Sequence, residues 1–447
     1  MFTCKQWYRI SYYLLFRCLF LSDIIRLRPL CAVLDRCAWL GWYVKRIHLV
    51  RYYAPRRVTM ADVETTLATV IHHCPNLELF TVEWQITPAI AHSLVTYCAR
   101  SLRSVQWKID PDCLAGLIWA LDALPSLVSM SIDFETLSIS ITSPSDASET
   151  PEDTSPLLGT ASHISLTLNS LQQLTVRGLS QEFIEQAIGW SFPVLQSFTL
   201  DFAAHRNDLP DVGEFLKHHG TQLTFLDLNT IPTLDLPGIL AACPMLTSFS
   251  FNPDWRLPIH TDWSVRARLL QEPHTRITHL GLHQLLDAFL TPSLQSANDD
   301  GLPQLATMML QHTNDLTFSQ LTRQLFPALK VVRVLNRTLL AGLKRQDGPK
   351  DEGYARWQFW EAQCHAEGVR LEDCTGALLG EEWEEESEGE YEYEYEGAGQ
   401  EQVQELKLTP SIWRELRESL NGLRMSSAEP APFLPEEAFA AALQPSL

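Results

Sequence analysis

One short apolar pattern restricts the fold of this chain more than any other feature, because it keeps returning: apolar, two variable residues, apolar, one variable, apolar. It occurs as Leu77/Phe80/Val82, Leu102/Val105/Trp107, Leu127/Met130/Ile132, Leu171/Leu174/Val176, Leu195/Phe198/Leu200, Leu223/Leu226/Leu228, Leu246/Phe249/Phe251, Ile277/Leu280/Leu282 and Leu329/Val332/Val334. Successive first positions are 25, 25, 44, 24, 28, 23, 31 and 52 residues apart, so most steps share one unit length. A supersecondary unit repeated at that period belongs to a stack in which each copy covers its neighbour's core.

Between the triplets the apolar period changes from two to about 3.6. Val63, Leu67, Val70 and Ile71 share a helical face, as do Ile90, Leu94, Val95 and Cys98, and then Leu114, Leu117, Ile118 and Leu121. Each unit is therefore a helix followed by a strand. The punctuation agrees: Pro88 suits a first helical turn, Ser180 an N-cap and Gly220 a helix end. Cys74-Pro75, Leu124-Pro125, Phe192-Pro193, Cys243-Pro244 and Phe326-Pro327 stop the helix before a strand, since proline cannot continue it. The predicted fold is α/β, a leucine-rich-repeat solenoid or horseshoe with parallel strands on the concave face and helices on the convex face.

The expected organisation has four parts. Residues 1–57 form a helical N-terminal segment, and residues 58–376 the solenoid. Within the solenoid, 138–162 is an insertion loop rich in Ser, Thr, Pro and acidic residues, and the 52-residue step has room for a degenerate repeat around Leu302 to Phe318. Residues 351–376 form a terminal cap, with Trp357, Trp360, Ala362 and Cys364 in a short helix and Val369-Arg370-Leu371 as a closing strand. Residues 377–405 are an acidic disordered linker, and 406–447 a tail whose Ile412, Trp413, Leu416 and Leu420 suit a brief amphipathic helix.

Charge is distributed unevenly. Of a formal net charge of −20, residues 371–400 supply 12 acidic side chains and no basic one, whereas residues 1–60 carry 11 Lys or Arg against Asp23 and Asp35. Ten scattered cysteines without a CxxC pair argue against a zinc knuckle or a disulfide scaffold and suit a reducing compartment. The apolar stretch from Trp7 to Ile25 is broken by Arg9, Arg17 and Asp23, too soon to span a bilayer, so the expected location is cytoplasmic or nuclear with no membrane partner. No Walker loop, HExxH, GxSxG, GxGxxG or EF-hand spacing occurs, and neither enzyme chemistry nor a cofactor is expected. His72-His73, His218-His219 and the pair His279 and His283 lack a patterned third metal ligand and read as surface or helix-end side chains.

Cys4-Lys5-Gln6-Trp7-Tyr8-Arg9-Ile10-Ser11, followed by Leu14-Leu15-Phe16-Arg17, resembles the last helix of an F-box, where a C-K-x-W-apolar segment ends the motif. The repeats with Cys-Pro or Phe-Pro before the triplet resemble the degenerate leucine-rich repeats of F-box proteins numerous in mushroom-forming fungi. Together the likeness covers most of residues 4–376. It implies a substrate receptor of a cullin ubiquitin ligase, whose F-box remnant (Cys4, Trp7, Tyr8, Ile10, Leu14) touches a Skp-type adaptor while the repeats hold a protein substrate. The chain departs from the family in two ways. It starts inside the motif, without the Leu-Pro turn and the first two F-box helices. Gln85, Asp110, Glu135 and Asp254 also stand where the repeats usually carry asparagine.

Side chains between the apolar strand positions must point out of the horseshoe. The partner-binding candidates there are Glu83, Gln106, Lys108, Asp133, Arg177, Asp201, Phe225, Asp227, Asn229, Asn252, His279, His283 and Arg333. Phe225, an aromatic amid polar neighbours, is the best anchor; the alternative is a ring folded into a gap between repeats. Two other functions stay open. One is a nucleic-acid or chromatin scaffold using the basic N-terminal residues, which the acidic remainder opposes by repelling a polyanion. The other is a truncated, non-functional paralogue.

Overall fold

A computed structural model describes residues 11–50 (except 12, 22 and 23), 59–134, 159–202 (except 179 and 180), 211–229, 235–253, 270–285 (except 271 and 284), 311–336 (except 313) and 351–378. All of these belong to the first of two units, Met1–Glu381 and Glu382–Leu447. The expected linker from 379, the tail and its amphipathic helix, Ser180 and the first ten residues lie outside the described residues.

The elements run β1 (Cys18–Leu21), α1 (Leu27–Arg36), β2 (Arg46–Leu49), α2 (Met60–His73), β3 (Leu79–Gln85), α3 (Pro88–Cys98), β4 (Ser104–Ile109), α4 (Leu114–Asp122), β5 (Ser129–Phe134), β6 (Gln173–Gly178), α5 (Gln181–Ile188), β7 (Ser197–Asp201), α6 (Val212–His219), β8 (Phe225–Leu228), α7 (Leu236–Ala242), β9 (Ser248–Phe251), β10 (His279–Leu282), β11 (Val331–Val334), α8 (Asp351–Ala366) and β12 (Arg370–Glu372). The strands form one sheet in strict chain order, β1 to β12, and every pair is parallel. Parallel neighbours need a crossover between them, and among the described residues α1 to α8 run in eight of the eleven steps between successive strands.

All nine triplets are strands or lead into them, and every triplet residue is at most 2% exposed. Their second positions stand side by side: Phe80, Val105, Met130, Leu174, Phe198, Leu226, Phe249, Leu280 and Val332 are register partners in turn. A one-residue slip would carry a whole strand's apolar side chains to the opposite face, so this register is held by burial itself. A file of rings crosses the middle of the core from Phe134 through Phe183, Trp190 and Phe192 to Phe215 and Phe198, with centroids 4.6 to 6.3 Å apart.

Local chemistry explains the helix limits. Thr59 and Asp62 form a capping box on α2, and Pro88 occupies the first turn of α3 as expected. Gly220 follows α6 as expected, but with ordinary right-handed backbone. A Cβ there would stand 2.7 Å from Cys243 Sγ and 2.8 Å from the Ala242 carbonyl, so close approach of the next repeat, not a left-handed turn, demands glycine. Thr224, Thr247 and Thr278, each just before a strand, donate their hydroxyls to the carbonyls of Gln196, Thr224 and Thr247 one repeat back, at 3.0 to 3.2 Å.

Three expectations need correction. The sheet starts well before residue 58, because Phe16/Leu19/Leu21 and Val44/Ile47/Leu49 repeat the triplet and β1 and β2 pair into the sheet. The segment to residue 57 is thus not purely helical. No strand comes between β10 and β11, which pair directly, so a degenerate repeat in the 52-residue step adds nothing to the sheet. The insertion loop ends earlier than 162, since Gly159–His163 forms a 3-10 turn leading to buried Leu166 and Leu168. The terminal cap has both its elements, α8 with Trp357, Trp360 and Cys364 buried and β12 pairing with β11; Ala362 is exposed.

Candidate functional site

One face of the sheet packs on the helices as a single apolar core, and the other carries the alternate side chains of every strand. Strand register sorts these into rows. The first runs Leu79, Ser104, Ser129, Gln173, Ser197, Phe225, Ser248, His279 and Val331. The second runs Thr81, Gln106, Ser131, Thr175, Thr199, Asp227, Ser250, Gly281, Arg333 and Glu372, the last two paired through β11 and β12. The third begins Lys108, Asp133, Arg177, Asp201 and continues past the strand ends with Asn229 and His283, whose backbone amides bond to the Leu200 and Phe251 carbonyls.

The candidates divide into two groups along the sheet. Glu83, Gln106, Arg177, Phe225 and His279 are exposed. Glu83 is nevertheless out of file: β3 holds two more residues than β4 between the pairs Thr81 with Gln106 and Gln85 with Lys108, so Glu83 sits on a bulge and not opposite Lys108. Lys108 lies 4.0 Å from Asp133, and Asp201 accepts from the Asn229 amide at 3.1 Å. Arg177 stands between Asp133 and Asp201 in register. Phe225 is 36% exposed between Ser197 and Ser248, so its ring lies on the open face and is not folded away between repeats.

Towards β12 the same face closes on itself. Asn252 is fully buried at 0% exposure, which removes it as a contact for any partner. Ser250 and Gly281 are buried too, because Leu335 and Ser250 fill the space a side chain at Gly281 would need. His283 reaches across β9 to Asp227 at 2.5 Å, with both side chains four-fifths buried. Arg333 gives two hydrogen bonds to Glu372 Oε2 at 3.1 and 2.6 Å, and Arg370 stands 3.4 Å from the other oxygen. The buried Glu372 carboxylate thus has two guanidinium partners, which is what a charge withdrawn from water requires. Asp227, His283 and Arg333 are therefore mutual or structural partners before they are contacts for a visitor.

Sequence reasoning missed the Gln85 amide, which donates to Asp110 at 3.0 Å and links the turns of adjacent repeats where an asparagine was expected. The signal is in the sequence, because Gln85 and Asp110 both stand at the position where asparagine is expected. Cys4, Trp7, Tyr8 and Ile10 lie outside the described residues; Leu14 is half exposed on the helix before β1. His73 pairs with Asp35 at 2.9 Å, His72 packs on Tyr97, and His219 is buried against Phe192 and Phe215. Among the described residues no three His, Cys, Asp or Glu side chains converge as metal ligands, and no helix is long and apolar enough to cross a membrane. Burial pushes the Cys98, Cys243 and Cys364 thiols up to about 12, leaving them protonated and inert near neutrality. No known family model and no curated protein matches this chain.

Proposed function

We propose that the parallel ribbon is a leucine-rich-repeat horseshoe that recruits another polypeptide on its open face between β4 and β8. The observation that carries this reading is the exposed Phe225 ring amid serines and threonines, with the exposed Arg177 guanidinium two strands away. An aromatic anchor and an arginine on one open polar face, one in its first row and the other in its third, have the composition of an interface hot spot. A partner with an apolar side chain for Phe225 and a carboxylate for Arg177 suits it. The F-box likeness of residues 4–17 extends the proposal to a receptor that brings such a partner to a ubiquitin ligase.

Proximity labelling in cells with the wild-type chain, Phe225→Ala and Arg177→Ala tests the first part. Both variants should keep wild-type thermal stability, since neither side chain is core, and both should lose the same subset of labelled proteins. An unchanged set in both variants would refute the binding face. Co-purification with a Skp-type adaptor tests the ligase part separately: failure to bind leaves an interaction module acting by itself.

A further inference from the structure

On the helical side, the N-terminal ends of α3 and α4 leave an apolar cleft beneath the ends of β3 and β4. Ile86, Pro88, Ile109 and Leu117 form its walls, and Gly116 stands at its mouth. A Cβ at Gly116 would have no neighbour within 4 Å, so the mouth is open. Two polar side chains also line this space, and the polar atom of neither has a hydrogen-bond partner inside the protein. Trp107 is 1% exposed, and its indole Nε1–H has no hydrogen-bond partner. Thr87 is the N-cap of α3, yet it caps through its carbonyl alone, which accepts from the Ile90 and Ala91 amides at 3.1 Å. Its hydroxyl is buried and unpartnered.

Buried donors without partners are rare because each loses its bond to water and gains none. Two in one opening mark a place built for an oxygen from outside. The walls are apolar and the cleft has room at its depth for a single oxygen-sized group. The ligand's charge is decided nearby. No cation lines the cleft, and Asp110 and Asp112, which precede the lining Cys113, set their negative charge against it, so an anion would be repelled as well as desolvated.

We propose that this cleft binds a neutral small molecule of the alcohol or carboxamide class, its oxygen accepting from Trp107 Nε1–H and bonding to the Thr87 hydroxyl while its carbon end lies on Ile86, Ile109 and Leu117. Binding would join β4 to the start of α3 through the ligand oxygen. The site is separate from the open strand face and does not depend on the partner proposed there.

The test uses the full chain with 15N-labelled tryptophan indoles, the Trp107 resonance being identified by its loss in Trp107→Phe, or by its through-space contact with Leu117 if that variant does not fold. Isopropanol and N-methylacetamide should each shift this resonance saturably, and sodium acetate at equal concentration should not. Gly116→Leu, which closes the mouth, should abolish the response while the other indole resonances stay in place. A Trp107 signal unmoved by both neutral probes, or moved equally by acetate, or still responsive in Gly116→Leu, overturns the proposal.

Discussion

Gly281 is the sharpest place to test the sheet, because β9 and β10 are joined by one of the longer steps and meet there at their tightest point. Ser250 and Gly281 are register partners. A Cβ on residue 281 would stand 2.3 Å from Ser250 Oγ, 2.9 Å from Ser250 Cβ and 2.8 Å from Leu335 Cδ1. The hydroxyl and the leucine tip can turn, but the Ser250 Cβ moves only with its strand. Overpacking of this kind costs about 1–3 kcal/mol. Stiffening of the unfolded chain by alanine returns about 0.4–1 kcal/mol. Gly281→Ala should therefore destabilise by about 1–2 kcal/mol in urea unfolding followed by circular dichroism. Ser250→Gly alone should cost roughly 0.5–1 kcal/mol for a glycine within a strand. Together the two changes should be less damaging than their sum by about 1 kcal/mol, because the glycine frees the space that the new methyl needs. A neutral Gly281→Ala, or a double variant that is additive within about 0.3 kcal/mol, would show that these strands are not neighbours.

Two further outcomes follow from buried polar groups. His219 donates to the Ala187 carbonyl at 3.2 Å, and burial holds its pKa below the ordinary 6.5. The unfolded chain then binds the proton more readily, so its contribution to stability is complete above pH 6.5 and is lost as pH falls through the lowered folded value. His219→Gln should flatten the pH dependence of the unfolding midpoint on the acid side of 6.5; an identical slope in both proteins would contradict this. Arg356 ties α8 to the preceding segment by bonds of 2.8 Å to the Gln311 carbonyl and 2.7 Å to Asp315. Arg356→Met should cost about 1.5–3 kcal/mol in the same urea assay, as expected for bonds to charged groups, and an unchanged midpoint would remove this bond from the cap.

Where burial dictates structure, the sequence was easy to read. The nine triplets could be neither solvated nor placed in a helix without wasting their alternation, and all became neighbouring strands. β1 and β2 went unread although Phe16/Leu19/Leu21 and Val44/Ile47/Leu49 carry the same spacing, because the arginines and extra apolar residues around them also fit a helical segment. The open face was harder. Alternation tells which side chains point away from the core, and that held for Gln106, Arg177 and Phe225. It cannot tell what covers them afterwards: Asn252 is sealed, and Arg333 is bound to Glu372, 39 residues on, at a distance no local period encodes. The threonine ladder was visible in principle, since Thr224, Thr247 and Thr278 each follow the first apolar residue of a triplet.

The most direct measurement on the ribbon is the set of backbone through-space contacts of Phe198 in an isotope-labelled sample. If adjacent triplets lie in parallel register, its amide and Hα protons show cross-strand contacts with residues around Leu174 on one side and Leu226 on the other, as the pairing of β6, β7 and β8 requires. Contacts confined to residues three or four positions along the chain, or cross-strand contacts of antiparallel pattern, would contradict it.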